Sequence, residues 1–191
     1  MSFIIQEKKD EVNEEDIGNK VLLTGLAHTG KTSIIQVVFK GMKPEETIDL
    51  PSTVRYTREH SQLKGFNYYV VDVGGQIAYL EEIFDILEET IFTNLNYLFY
   101  VVDVERFEEY YQAREYFALA LKSVEKICMG ATITVLVHKM DLIPEEEREE
   151  KIKRISEIFY LDTLESVKIY GTSIYEDSIF EVMEEILLEK Q

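Results

Sequence analysis

The chain has 191 residues, 46% of them hydrophobic, which suffices for one well-buried domain and is too short for two of ordinary size. Its 37 acidic side chains outnumber 20 basic ones, and a net charge of −17 repels a polyphosphate backbone, so nucleic acid is not expected as a partner. A single cysteine, Cys128, excludes an intrachain disulfide, and no apolar run approaches the ~18 residues of a membrane span.

In chain order, MSFIIQEKK is too short and too soon acidic for a secretory signal, and Ser2 replaces the glycine that myristoylation requires. The charge run QEKKDEVNEED (6–16) predicts a solvated acidic extension over 1–18, with Phe3, Ile4 and Ile5 able to dock on the domain or a partner. Short apolar runs then alternate with amphipathic stretches across 19–191. KVLLTG (20–25), YYVVDV (68–73), YLFYVVDV (97–104), ATITVLVH (131–138) and VKIYGTS (167–173) read as strands buried on both faces. Residues 31–41, 80–93, 106–128, 145–160 and 176–189 have helical spacing. Strand and helix in repetition predict an α/β fold, a mostly parallel doubly wound sheet with helices on both faces. Residues 42–67 break the rhythm: TVRYTREH and SQLKG lead into a strand with no helix between, which predicts an antiparallel edge hairpin and hence a six-stranded sheet. The closing LLEKQ is no prenylation signal, so a cytoplasmic location is expected, with no direct membrane anchor and any recruitment through a partner.

GLAHTGKTS (25–33) fits the phosphate-loop pattern G-x-x-x-x-G-K-[ST], with a strand before it and a helix after it. The backbone N–H groups of His28, Thr29, Gly30, Lys31, Thr32 and Ser33 are expected to converge on phosphates at a helix N-terminus. Lys31 bridges the outer phosphates and the Thr32 hydroxyl takes Mg²⁺. His28 is read as a solvent-edge residue that contributes mainly its N–H. DVGGQ (72–76) ends another strand. Asp72 there is placed to reach Mg²⁺ through water, Gly75 to bring its N–H to a γ-phosphate, and Gln76 to orient an attacking water. PST (51–53) offers Thr53 as the second hydroxyl on Mg²⁺, with Ser52 and Thr47 as rivals.

HKMD (138–141) chooses the base. A carboxylate at Asp141 accepts both the N1–H and the exocyclic amino group of guanine, a donor pair adenine lacks; Lys139 lies along the base plane, and His138 stands where guanine-binding loops usually carry Asn. Backbone N–H groups near Ser173 in GTS (171–173) are placed to meet the guanine carbonyl.

The ordered set KVLLTG…TGKTS, PST, DVGGQ, YVVDVE, LVHKMDLI and TSIYEDS resembles a small GTPase of the Ras superfamily, and within it the Rag/Gtr family. The pointers to that family are HKMD with His for Asn, TSI at Thr172, Ser173 and Ile174 where Ras relatives carry Ser-Ala-Lys, and IFTNLNYLFYVVDVE. The resemblance runs from about Lys20 to the C-terminus. It implies a Ras-like P-loop domain that binds GTP and GDP with Mg²⁺, hydrolyses GTP slowly, and answers to effector, activator and exchange proteins. It also implies heterodimers joined by a C-terminal roadblock domain; with the sequence ending at Gln191, a separate roadblock-domain protein or a second GTPase is the expected partner. Arg55 and Arg58 are expected on the exposed hairpin rather than over the phosphates. The rival readings are a non-hydrolysing GTP-binding scaffold and a P-loop kinase or ATPase.

Overall fold

The computed structural model describes residues 19–189; the acidic extension expected over 1–18 lies outside them. Six strands form one sheet in the order β2-β3-β1-β4-β5-β6. They are β1 (Asn19–Thr24), β2 (Tyr56–Leu63), β3 (Phe66–Val73), β4 (Leu95–Asp103), β5 (Thr132–His138) and β6 (Val167–Thr172). All neighbours are parallel except β2 and β3, a hairpin in register from Tyr56 opposite Val73 to Leu63 opposite Phe66. The expected edge hairpin and doubly wound sheet are therefore present.

The central strands are buried on both faces, so alternate residues feed two cores. Leu22, Leu98, Tyr100 and Val102 pack with Leu80, Phe92, Phe117 and Phe159 on one face. Val21, Leu23, Phe99 and Val101 pack with Ile34, Val38, Met183 and Leu187 on the other. The first layer comprises α2 (Ile77–Asp85), α3 (Glu88–Phe92), α4 (Tyr110–Ile127) and α5 (Glu145–Phe159); the second comprises α1 (Lys31–Lys40) and α6 (Ser178–Leu188). Tyr100 and Tyr110 are buried with their hydroxyls donating to the Ala113 and Val104 carbonyls, so neither ring carries an unpaired polar atom inward.

Three helices depart from the sequence expectation in ways the side chains explain. The helix expected over 80–93 is two, broken at Ile86 and Leu87, whose N–H groups both turn back to the Glu82 carbonyl. Tertiary ties fix α3 separately: Glu88 accepts from Ser123 and Lys126 on α4, and Lys20 Nζ donates to the Thr90 and Thr93 carbonyls. The helix expected from 106 starts as a 3-10 turn, Phe107–Glu109, while Arg106 pairs with Asp103 and Glu109. The last helix begins at Ser178, because Glu176 is held outside it by Arg148.

Strand order reverses around β1, with β3 on one side and β4 on the other. Open α/β sheets place ligands at the carboxyl ends of strands flanking such a point, and the phosphate loop, Asp72, Asp103 and His138 all lie there.

Candidate functional site

The loop between β1 and α1 leaves the first-turn N–H groups of α1 without a side-chain cap, the arrangement that favours an anion. Gly30 has φ +96°, and a β-carbon there would sit 2.8 Å from Cδ2 of His138, so the loop and the His138 ring pack too closely for any other residue. His28 is exposed, as expected, with φ 64°. Lys31 is buried, its Nζ donating to the Gly25 and Leu26 carbonyls at 2.9 and 2.6 Å; Thr29 Oγ1 donates to the same Leu26 oxygen at 3.1 Å. Burial pushes the Lys31 ammonium down to about 8, opposed by the Asp72 carboxylate.

Three oxygens meet beside this loop. Thr32 Oγ1 lies 2.8 Å from Thr53 Oγ1, and both hydroxyls donate to Asp72 Oδ2, at 2.6 and 2.8 Å. The structure thus brings Thr53 into the cluster rather than its rivals: Thr47 donates to the Pro44 carbonyl in a 3-10 turn, and Ser52 is exposed. Burial pushes the Asp72 carboxyl above its ordinary range, while the two hydroxyls and Lys31 favour its charged form. Its other oxygen, Oδ1, is buried without a hydrogen-bond partner. Among the described residues no group of three His, Cys, Asp or Glu side chains gathers to hold a metal. One carboxylate with two hydroxyls fits Mg²⁺, which takes few protein ligands and leans on phosphates for the rest.

Gly75 is clamped against the phosphate loop: a β-carbon there would fall 2.2 to 2.4 Å from backbone atoms of Leu26 and Ala27. Gln76 follows as the exposed N-cap of α2 and lines the cleft. Arg55 pairs with Glu82 on α2, and Arg58 donates to the Thr90 carbonyl at 3.3 Å while lying 4.8 Å over the Tyr56 ring. Both are outside the cleft lining, as expected.

The cleft, about 470 Å³, runs from these oxygens to the far loops, where His138, Lys139, Asp141, Leu142, Ile174 and Tyr175 line it. Ser173 Oγ donates to Asp141 Oδ1 at 2.5 Å and accepts the Tyr175 N–H at 3.0 Å. The N–H of Ser173 itself donates to Ser178 Oγ at 3.0 Å, so that backbone donor is engaged within its own loop, while the Ser173 hydroxyl holds Asp141. Lys139 Nζ ties the loops together, donating to the His28 carbonyl at 2.8 Å and to Asp103 Oδ2 at 2.6 Å. Sequence reasoning missed Asp103, whose only signal was an acid at the end of a buried strand, and missed Leu142 and Tyr175, apolar neighbours of the two motifs.

His138 is 1% exposed, with Nδ1 3.0 Å from Thr172 Oγ1. Burial, helped by Lys139 and opposed by Asp141 and Asp103, pushes its pKa down to about 4. A folded value below the unfolded ~6.5 means stability that is whole above about pH 6.5 and is lost as pH falls toward 4, about 2 to 3 kcal/mol by pH 4.5. Urea unfolding at pH 7.5 and 4.5 checks this. His138→Asn is expected to narrow the gap between the two stabilities by that amount, and an unchanged gap contradicts it.

A family model described as the Gtr1/RagA G protein conserved region matches residues 20–189. The Ras-related GTP-binding protein D of Mus musculus is 31% identical over 179 residues, covering 90% of this chain and 39% of that protein. The GTP-binding protein GTR2 of Saccharomyces cerevisiae is 32% identical over 173 residues, covering 87% and 49%. The GTP-binding protein gtr2 of Schizosaccharomyces pombe is 33% identical over 175, covering 88% and 54%. The chain thus spans roughly half or less of the length of these relatives. Among solved structures, the Arl6 BBS3 small GTPase of Trypanosoma brucei, with the nucleotide analogue GppNp, superposes with a TM-score of 0.68 at 20% identity, covering 91% of this chain and 99% of that one. That likeness shows the fold.

Proposed function

This chain belongs to the Gtr1/RagA G protein family, and on that premise we propose that it is a switch that binds GTP and GDP with Mg²⁺ and hydrolyses GTP slowly. The observation that carries the reading is that one cleft holds both an uncapped helix start beside the Thr32, Thr53 and Asp72 oxygens and, at its other end, Asp141 oriented by Ser173.

The roles follow from the chemistry of each group. Backbone N–H groups of residues 28–33 and the Lys31 ammonium bind phosphate oxygens, and Gly75 offers its N–H at the far edge of the loop. Thr32, Thr53 and Asp72 hold Mg²⁺, which when bound neutralises phosphate charge. Gln76 orients water. His138 stays neutral and supports Gly30 and Thr172 from beneath. Asp141 accepts the two guanine donors, Lys139 keeps the base loop against the phosphate loop, and Ile174 closes the cleft. Effector, activator and exchange proteins, a roadblock-domain protein or second GTPase, and a cytoplasmic location belong to the same proposal. Ile48 and Val54, 74% and 66% exposed on the segment that carries Thr53, are apolar side chains an effector would cover.

The segment that carries Thr53 and the segment from Gly74 into α2 are linked: the Gly74 N–H donates to the Arg55 carbonyl at 2.7 Å, and the Arg55 side chain pairs with Glu82. A γ-phosphate that fixes Thr53 is therefore expected to order residues 42–56 together with α2. Limited proteolysis tests the switch. A non-hydrolysable GTP analogue is expected to protect against tryptic cleavage after Arg55 relative to GDP; equal cleavage in both states argues against switching.

A further inference from the structure

We infer that Arg148 is a positioning residue that staples the two base-contacting loops from outside the cleft, and so sets how long guanine nucleotide stays bound. The inference rests on the guanine reading above. Arg148 rides on α5, a helix anchored by the buried side chains of Ile155 and Phe159. Its Nε donates to the Ile143 carbonyl at 3.1 Å, two residues after Asp141. Its Nη1 and Nη2 donate to the two carboxylate oxygens of Glu176 at 3.1 and 2.7 Å, three residues after Ser173. The other side-chain ties between these two stretches are the Ser173 hydroxyl on Asp141 and, at the buried strand ends, the His138 ring against the Thr172 hydroxyl.

A single exposed ion pair does little. This one differs in geometry, because one planar guanidinium engages a carboxylate with two parallel bonds and a second loop's carbonyl with a third. That is an arrangement a lysine cannot copy. Losing it leaves the Asp141 loop held to the Ser173 loop by fewer bonds without touching Thr32, Asp72 or Gln76, so residence time and base discrimination change while chemistry does not.

The test is dissociation of mant-GDP and mant-IDP, chased by unlabelled nucleotide; the inosine base lacks the exocyclic amino group that Asp141 is read to accept. Arg148→Ala and Glu176→Ala are each expected to speed mant-GDP release about tenfold. The ratio to mant-IDP release should shrink, and Arg148→Lys should not restore it. The double alanine variant is expected to match Arg148→Ala, since the two bonds that Glu176→Ala removes are among the three that the arginine makes. Single-turnover GTP hydrolysis in all of them stays at the parent rate, which a general loss of structure would not allow. Release of mant-GDP within twofold of the parent, or a double variant whose effect is the product of the singles, overturns the inference. A parent that binds no mant-GDP overturns the guanine reading and this inference with it.

Discussion

Gln76→Leu is expected to slow single-turnover GTP hydrolysis by one to two orders of magnitude, from a parent rate of about 10⁻⁴ to 10⁻² per second, and to leave GTP affinity nearly unchanged. Moving a phosphoryl group to water needs positioning and charge stabilisation. This chain supplies the phosphate loop, Lys31 and the Thr32, Thr53 and Asp72 set, which leaves the orientation of water to one side chain. Gln76 stands at the N-terminus of α2 and makes no side-chain cap bond there, so replacing it with Leu removes an amide without costing the helix its cap. Its backbone is fixed by Gly75, pressed against Leu26 and Ala27, and that contact survives the substitution. The parent is expected to be slow because the arginines nearest in sequence are engaged elsewhere, Arg55 with Glu82 and Arg58 with the Thr90 carbonyl. A partner that inserts a cation is the expected source of acceleration. Equal rates in parent and Leu variant would remove Gln76 from this role. A parent with no hydrolysis above the uncatalysed reaction, with activators present, would favour a GTP-binding scaffold.

Much of this was legible before any coordinates, for physical reasons that differ from element to element. The phosphate loop announces itself because glycine positions, a preceding apolar strand and a following helix are local and mutually consistent. The strands were legible because a parallel sheet buried on both faces demands unbroken runs of branched and aromatic residues. The break at Ile86 and Leu87 was not legible, since helical spacing continues through it; the bond from Lys126 of α4 to Glu88 and that from Lys20 of β1 to the end of α3 impose it from far along the chain. The same holds for the site. Residue type nominated Thr53, Ser52 and Thr47 together, and only folding against Asp72 distinguishes them. Asp103 and the Ser173 hydroxyl act by reaching across loops 36 and 32 residues away in sequence, so no spacing rule would have found them. The neutral state of His138 likewise comes from its burial beneath Gly30, which its residue type does not reveal.

The second large effect concerns the base. Asp141→Asn is expected to weaken GTP binding by about 3 to 4 kcal/mol, several hundredfold, because the charged acceptor of two guanine donors becomes a neutral group with one donating end. The same change should admit xanthine nucleotides, whose carbonyl replaces the guanine amino group and accepts from the new amide. Ser173 Oγ, now donating to Asp141 Oδ1, can donate equally to the Asn oxygen, so the side chain keeps its orientation. Competition of labelled GDP by GTP, XTP and ATP, measured on parent and Asp141→Asn, tests the guanine site most directly. The parent is expected to prefer GTP over ATP by at least about a thousandfold, and the variant to prefer XTP over GTP. A parent displaced as readily by ATP as by GTP, or a variant whose preferences are those of the parent, would contradict a guanine site at Asp141 and turn the phosphate loop toward a kinase or ATPase.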